Sequence, residues 1–109
     1  MSLEPVVVTG IGIISPLGLN FQELMTALFS GASGVASYSE LERVGGLRSR
    51  LAARVDGIDP QQVPRKIRRS MSMMSIYAYL ASRQALDMAE WRQEELATGR
   101  LGVVFWSTG

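Results

Sequence analysis

The hydrophobic pattern of this 109-residue chain changes period along its length, and each change marks an element. Residues 5–9 form a short, continuous apolar run through Val6, Val7 and Val8, the pattern of a strand covered on both faces. Gly10 and Gly12 allow a sharp exit, and Pro16 followed by Gly18 extends the turn. A helix comes next. Asn20 is placed to cap it, Glu23 completes a capping-box pattern, and Leu19 with Leu24 matches a hydrophobic staple. Phe21, Leu24, Met25 and Leu28 recur at helical spacing, and Gly31 supplies the stop.

Residues 31–50 are rich in Gly and Ser and lack sustained periodicity, so they read as an excursion over a surface with one helical turn near Glu40 to Arg43. Leu51 to Val55 reads as a short strand, Asp59-Pro60 opens a new segment, and Pro64 suits the first turn of a helix. From Met71 to Ala89 the pattern is helical again, with Met74, Ala78, Ala81, Ala85 and Met88 spaced four, three, four, three. Ile76, Tyr77, Tyr79 and Leu80 add apolar surface on its other faces. A helix of this kind is buried on most sides, and its alanines let a neighbouring layer come close.

Leu101 to Trp106 is a second strand-like run, followed only by Ser107, Thr108 and Gly109. This ending reads as a cut through a larger fold. Two long helices and two clear strands are too little to cover the helix at 71–89, which points the same way. The order strand, helix, excursion, helix, strand predicts an α/β layered architecture with a mostly parallel sheet and right-handed crossovers. Residues 1–109 are one domain or part of one.

Composition narrows the class. Apolar residues make up 47 % and charged residues 19 %, which is a globular rather than a disordered balance. The formal charge of +1 gives no bulk attraction to nucleic acid. No apolar run approaches the ~20 residues that cross a bilayer, and the start lacks the basic and apolar regions of a signal peptide. Cysteine and histidine are both absent. That excludes a disulfide scaffold and a Cys-based metal site, and it fits a cytoplasmic protein. No cofactor or metal is expected.

Three features were candidates for chemistry. Gly10-Ile11-Gly12 follows a strand, but Ser15 stands at the third glycine position of a dinucleotide fingerprint and the helix starts only near Asn20, so the glycines read as structural. Arg65, Lys66, Arg68 and Arg69 form a basic cluster; between Arg43 and Arg69 there are eight basic residues against Asp56 and Asp59. Such a patch attracts an acidic partner or is a solvated helix face. No aromatic residue is interleaved with these arginines to stack bases. Met71, Met73 and Met74 read as core packing. Without His or Cys no nucleophile–base constellation can be assembled, so no catalytic residue is assigned.

In order along the chain, Val8-Thr9-Gly10-Ile11-Gly12, Ser15-Pro16-Leu17-Gly18, Ser30-Gly31-Ala32-Ser33-Gly34-Val35, Gly46-Leu47-Arg48-Ser49, Arg65-Lys66 with Arg69 and Met71, Ser75-Ile76-Tyr77-Ala78 and Arg100-Leu101-Gly102 resemble the β-ketoacyl-acyl-carrier-protein synthases. The resemblance implies a dimeric, thiolase-like layered fold, of which this segment is the first part of the N-terminal repeat with residues 71–89 as a central buried helix. It implies decarboxylative Claisen condensation of acyl and malonyl thioesters in fatty acid or polyketide synthesis. The Cys, His and Lys of that chemistry would lie outside residues 1–109. It also implies that Arg65, Lys66 and Arg69, with Arg68 as an extra charge, dock the acidic acyl carrier protein. Where the family has Gly-Ser-Gly, near the acyl pocket and dimer seam, this chain has Trp106-Ser107-Thr108. That substitution implies a specialised synthase, as homodimer or heterodimer, or a catalytically silent chain-length-factor-like partner.

Overall fold

The computed structural model describes residues 3–107. In chain order the elements are α1 (Phe21–Phe29), β1 (Val35–Ser37), a 3-10 turn at Ser39–Arg43, β2 (Leu51–Ala53), a second 3-10 turn at Pro60–Gln62, α2 (Arg65–Arg68), α3 (Met73–Met88) and α4 (Gln93–Leu96).

Helix α1 starts where its cap pattern places it, with Asn20 Oδ1 accepting from the Glu23 N–H at 2.9 Å. Glu23 reaches one residue further back than a capping box requires and accepts from the Leu19 N–H at 2.7 Å. Such a cap contributes about 1 kcal/mol. At the other end Gly31 takes φ +71°, the Gly31 N–H bonds the Leu28 carbonyl at 3.1 Å, and the Ala32 N–H bonds the Ala27 carbonyl at 3.0 Å. This paired closure is what a left-handed residue after the cap produces. Helix α3 starts on Ser72, whose hydroxyl accepts from the Ser75 N–H at 3.2 Å. It closes in the same way as α1, but with Glu90 in the left-handed position at φ 58°. Pro64 sits at the cap of α2, one residue before the helical turn the sequence predicts for it.

The N-terminal segment lies directly on α3. A Cβ built on Gly12 would overlap the Ala81 carbonyl, and one built on Gly10 would overlap that of Ala85. Neither glycine has a positive φ. Their role is close approach to the alanine face of α3 rather than a sharp turn. Three hydrogen bonds hold the segment there: the Ile11 N–H to Met88 Sδ at 3.4 Å, the Ile13 N–H to Gln84 Oε1 at 3.0 Å, and Gln84 Nε2 to the Leu19 carbonyl at 2.6 Å. Between Ile13 and Leu19, Ser15 closes a turn with Gly18 through backbone bonds of 2.9 and 3.3 Å, and its hydroxyl donates to the Gly18 carbonyl.

The sheet departs from expectation. Strands β1 and β2 pair antiparallel, with Val35 opposite Ala53 and Ser37 opposite Leu51. The runs at 5–9 and 101–106 are irregular in hydrogen bonding and form no ladder among the described residues. A strand needs a neighbour about 4.8 Å away, and neither run meets one. The parallel sheet and its crossovers are therefore not formed by the described residues.

Val63, Ile76 and Leu80 form the buried core, with Ile14, Ile58, Met71 and Tyr79 packed against them. The sequence predicts α3 buried on most sides, yet only Ile76 and Leu80 are buried in it. Core packing holds for Met71, while Met73 and Met74 are exposed. The radius of gyration is 17.8 Å, against about 13 Å for a compact domain of this length. The accessible surface is 9260 Å², where a compact chain of this mass exposes about 5,900 Å². Much of the excess is apolar: Val6 is 98 % exposed, Val104 93 % and Trp106 91 %.

Candidate functional site

The segment leading into α3 builds a basic surface. Asp59 Oδ1 accepts from the Gln61 N–H at 2.9 Å and starts the second 3-10 turn. Val63, fully buried against the core, anchors the chain just before α2. The Pro64 carbonyl then accepts from the N–H groups of Ile67 and Arg68 at 3.1 and 3.0 Å, which fixes the single turn of α2. Met71, packed on the core, is the anchor on the other side.

The eight basic residues read from the sequence divide into different roles. Arg50 pairs with Glu42 at 2.9 Å. Arg54 pairs with Glu40 at 3.2 Å and Asp56 at 3.6 Å, and lies 5.1 Å from the centre of the Tyr38 ring. These belong to the arm built by β1 and β2. Arg68 turns inward, half-buried, and its Nη1 donates to the Pro60 carbonyl at 3.0 Å. Arg65, Lys66 and Arg69 are exposed and form no ion pair among the described residues. The positive surface of this segment is thus those three side chains, a stripe at helical positions i, i+1 and i+4.

A second feature lies along the opposite end of the chain. Met74 and Ala78 of α3 face Val103, Phe105, Trp106 and Ser107 across an apolar groove of about 590 Å³. That volume is in the range of small-molecule sites. Ser107 Oγ donates to Met74 Sδ at 3.4 Å and ties the two walls together. Trp106 lines the groove with its ring almost wholly in solvent, so its added volume does not fill the space. Thr108 lies outside the described residues. The basic stripe and the groove lie at different places on the chain: Met71 and Ser72 join them, being next to α2 and on the groove wall.

Among the described residues no three His, Cys, Asp or Glu side chains gather as metal ligands would. No described helix is long and apolar enough to cross a membrane. The sequence does not single out Gln84, and it shows neither the anchoring role of Met88 nor the inward turn of Arg68. Gln84 and Met88 anchor the N-terminal segment, and the signal for them was their place at i+3 and i+7 from Ala81 on the small-residue face. Arg68 was read with its neighbours, and its partial burial and its bond to the Pro60 carbonyl are what separate it from their stripe.

Residues 3–108 match the family described as Beta-ketoacyl synthase, N-terminal domain. The chain is 35 % identical over 108 residues to the 3-oxoacyl-acyl-carrier-protein synthase 1 of Escherichia coli (strain K12), covering 98 % of this chain and 26 % of that protein. It is 36 % identical over 108 residues to the synthase 1 of Buchnera aphidicola subsp. Baizongia pistaciae, covering 97 % of this chain and 26 % of the relative. A β-ketoacyl synthase crystal structure from Burkholderia phymatum STM815 superposes with a TM-score of 0.72 at 37 % identity, over 82 % of this chain and 22 % of that one. The chain therefore spans about a quarter of the length of the relatives it matches. Its helices and small sheet are part of that neighbour's thiolase-like α/β fold. By sequence and by structure, this chain belongs to the β-ketoacyl synthase family, and its match lies in the family's N-terminal domain.

Proposed function

We propose that this chain is the carrier-docking portion of a β-ketoacyl-acyl-carrier-protein synthase. The observation that carries the reading is the stripe of Arg65, Lys66 and Arg69, three exposed cations without ion-pair partners among the described residues, on a turn anchored at both ends by Val63 and Met71. Such a surface suits an acidic protein, for which electrostatics raises the encounter rate and sets register. The parent reaction is decarboxylative condensation. An acyl group passes from its carrier thioester to a cysteine thiolate, releasing the carrier thiol. A malonyl carrier thioester loses carbon dioxide, and its carbanion attacks the acyl thioester, expelling the cysteine thiolate. This chain has neither Cys nor His, so its own residues bind and position rather than react.

The large apolar surface at 5–8 and 103–106 supports the rest of the reading, in which the chain works as one part of a larger, dimeric cytoplasmic enzyme. Trp106 and Thr108 are assigned to the acyl pocket or the dimer seam of that body. The matching relatives are named synthases, which favours a condensing enzyme over a silent chain-length-factor-like partner. The test is a titration of the full-length protein with acyl carrier protein at low and high salt. Arg65→Glu with Lys66→Glu is expected to weaken binding at least about tenfold at low salt with the fold unchanged. Unchanged binding at low salt removes the docking assignment.

A further inference from the structure

Helix α2 has only four residues, too few to hold a shape by its own hydrogen bonds. Its one apolar side chain, Ile67, is 43 % exposed and anchors it weakly. Val63 and Met71 fix the chain at either end, eight residues apart, and one side chain between them adds a tie. Arg68 reaches back eight residues and donates from Nη1 to the Pro60 carbonyl at 3.0 Å, onto the 3-10 turn that Asp59 caps. On a helical wheel Arg69 lies between Arg65 and Lys66, and Arg68 lies about 60° beyond Arg65, at the edge of the stripe; it is half-buried where the other three are exposed. A guanidinium bonded to a fixed carbonyl is a strong, directional tie.

We infer that Arg68 is a positioning residue: its bond to the Pro60 carbonyl fixes the rotation of α2 and so aligns Arg65, Lys66 and Arg69 for the acidic partner, which Arg68 itself does not touch. The inference rests on the docking reading above. It divides four neighbouring cations into three that meet the partner and one that holds them. Salt distinguishes the two roles, because a long-range charge contribution is screened while a bond to a neutral carbonyl acts at short range.

The experiment uses the full-length protein with Arg68→Met, which keeps much of the stem and removes donor and charge, beside Arg65→Gln as the comparator. Carrier-protein affinity is measured at low and high salt, and amide exchange is measured at Arg68 and Met71 in the free protein. Arg68→Met is expected to weaken binding about fivefold to tenfold at both salt concentrations and to speed exchange at both amides. Arg65→Gln is expected to weaken binding chiefly at low salt and to leave exchange unchanged. Should the Met variant not fold, Arg68→Lys is expected to show a smaller loss of affinity, again independent of salt. A loss that vanishes at high salt with exchange unchanged makes Arg68 a contact and overturns the inference. Parent-like binding by the Arg68 variants overturns it too. Parent-like binding by Arg65→Gln and by the Arg65→Glu, Lys66→Glu pair at low salt instead removes the docking reading, whatever exchange shows at Arg68.

Discussion

Ile13 and Gln84 are 71 positions apart in the chain, and the backbone N–H of the first donates to the side-chain oxygen of the second at 3.0 Å. The other end of the same amide donates to the Leu19 carbonyl at 2.6 Å. One half-buried side chain therefore fixes both ends of the turn that leads from the N-terminal segment into α1. Replacing Gln84 with Ala in the full-length protein leaves a donor and an acceptor without partners. It is expected to lower stability by about 1–3 kcal/mol, read as a shift in the denaturation midpoint at unchanged slope. A loss under ~0.5 kcal/mol is in the range of an ordinary surface change and contradicts the role.

The glycines that face α3 give a sharper contrast. Gly12→Ala drives a methyl group into the Ala81 carbonyl, and backbone must move to admit it. The expected cost is about 3 kcal/mol or more, or loss of soluble protein. Gly45 has no heavy atom within 4 Å of a built Cβ and no positive φ, so Gly45→Ala should change stability by no more than about 0.5 kcal/mol. Equal effects at the two sites, measured by thermal or chemical denaturation, contradict the packing described.

Not every arginine near the stripe belongs to it. Arg54 is engaged with Glu40, Asp56 and the Tyr38 ring, so its charge is largely met within the arm. Arg54→Gln is expected to change carrier affinity by less than about twofold at low salt, whereas loss of Arg65 costs several times more. Exposed pairs of this kind contribute about 0–1 kcal/mol, so the fold should also be little affected. A carrier-binding loss at Arg54 as large as that at Arg65 spreads the docking surface over the arm.

The 109-residue chain by itself is expected to show no condensing turnover, since it supplies neither the thiol nor the imidazole of the chemistry. With its valine runs and Trp106 open to water, it should also bind an apolar dye or self-associate. Turnover by the purified chain contradicts the division of labour proposed for it.

How far the sequence could be read depends on where each element gets its stability. Helix α1 was legible because its cap and terminal glycine are local signals, and both appear in the structure at Asn20 and Gly31; of its apolar face, Leu24 and Met25 are half-buried while Phe21 and Leu28 are exposed. The end of α3 was legible from its apolar pattern, which stops at Ala89, the C-cap; the left-handed Glu90 after it was not, since no glycine announces it. The short strand β1 lay hidden in a segment whose exposed residues need no alternation. The valine run at 6–8 reads as a buried strand, which is a statement about tertiary partners, and the described residues supply none. At the site, charge was legible and orientation was not. A list of basic residues cannot show that Arg68 turns to Pro60 while Arg65 and Lys66 face water.

The most direct test of the whole account is product formation by the full-length protein from an acyl and a malonyl carrier thioester. The parent is expected to release carbon dioxide and form the 3-oxoacyl carrier thioester. The Arg65→Glu, Lys66→Glu variant is expected to lose about tenfold or more in kcat/KM through KM, with kcat nearly unchanged. No product from the parent, or a variant as efficient as the parent, contradicts the account.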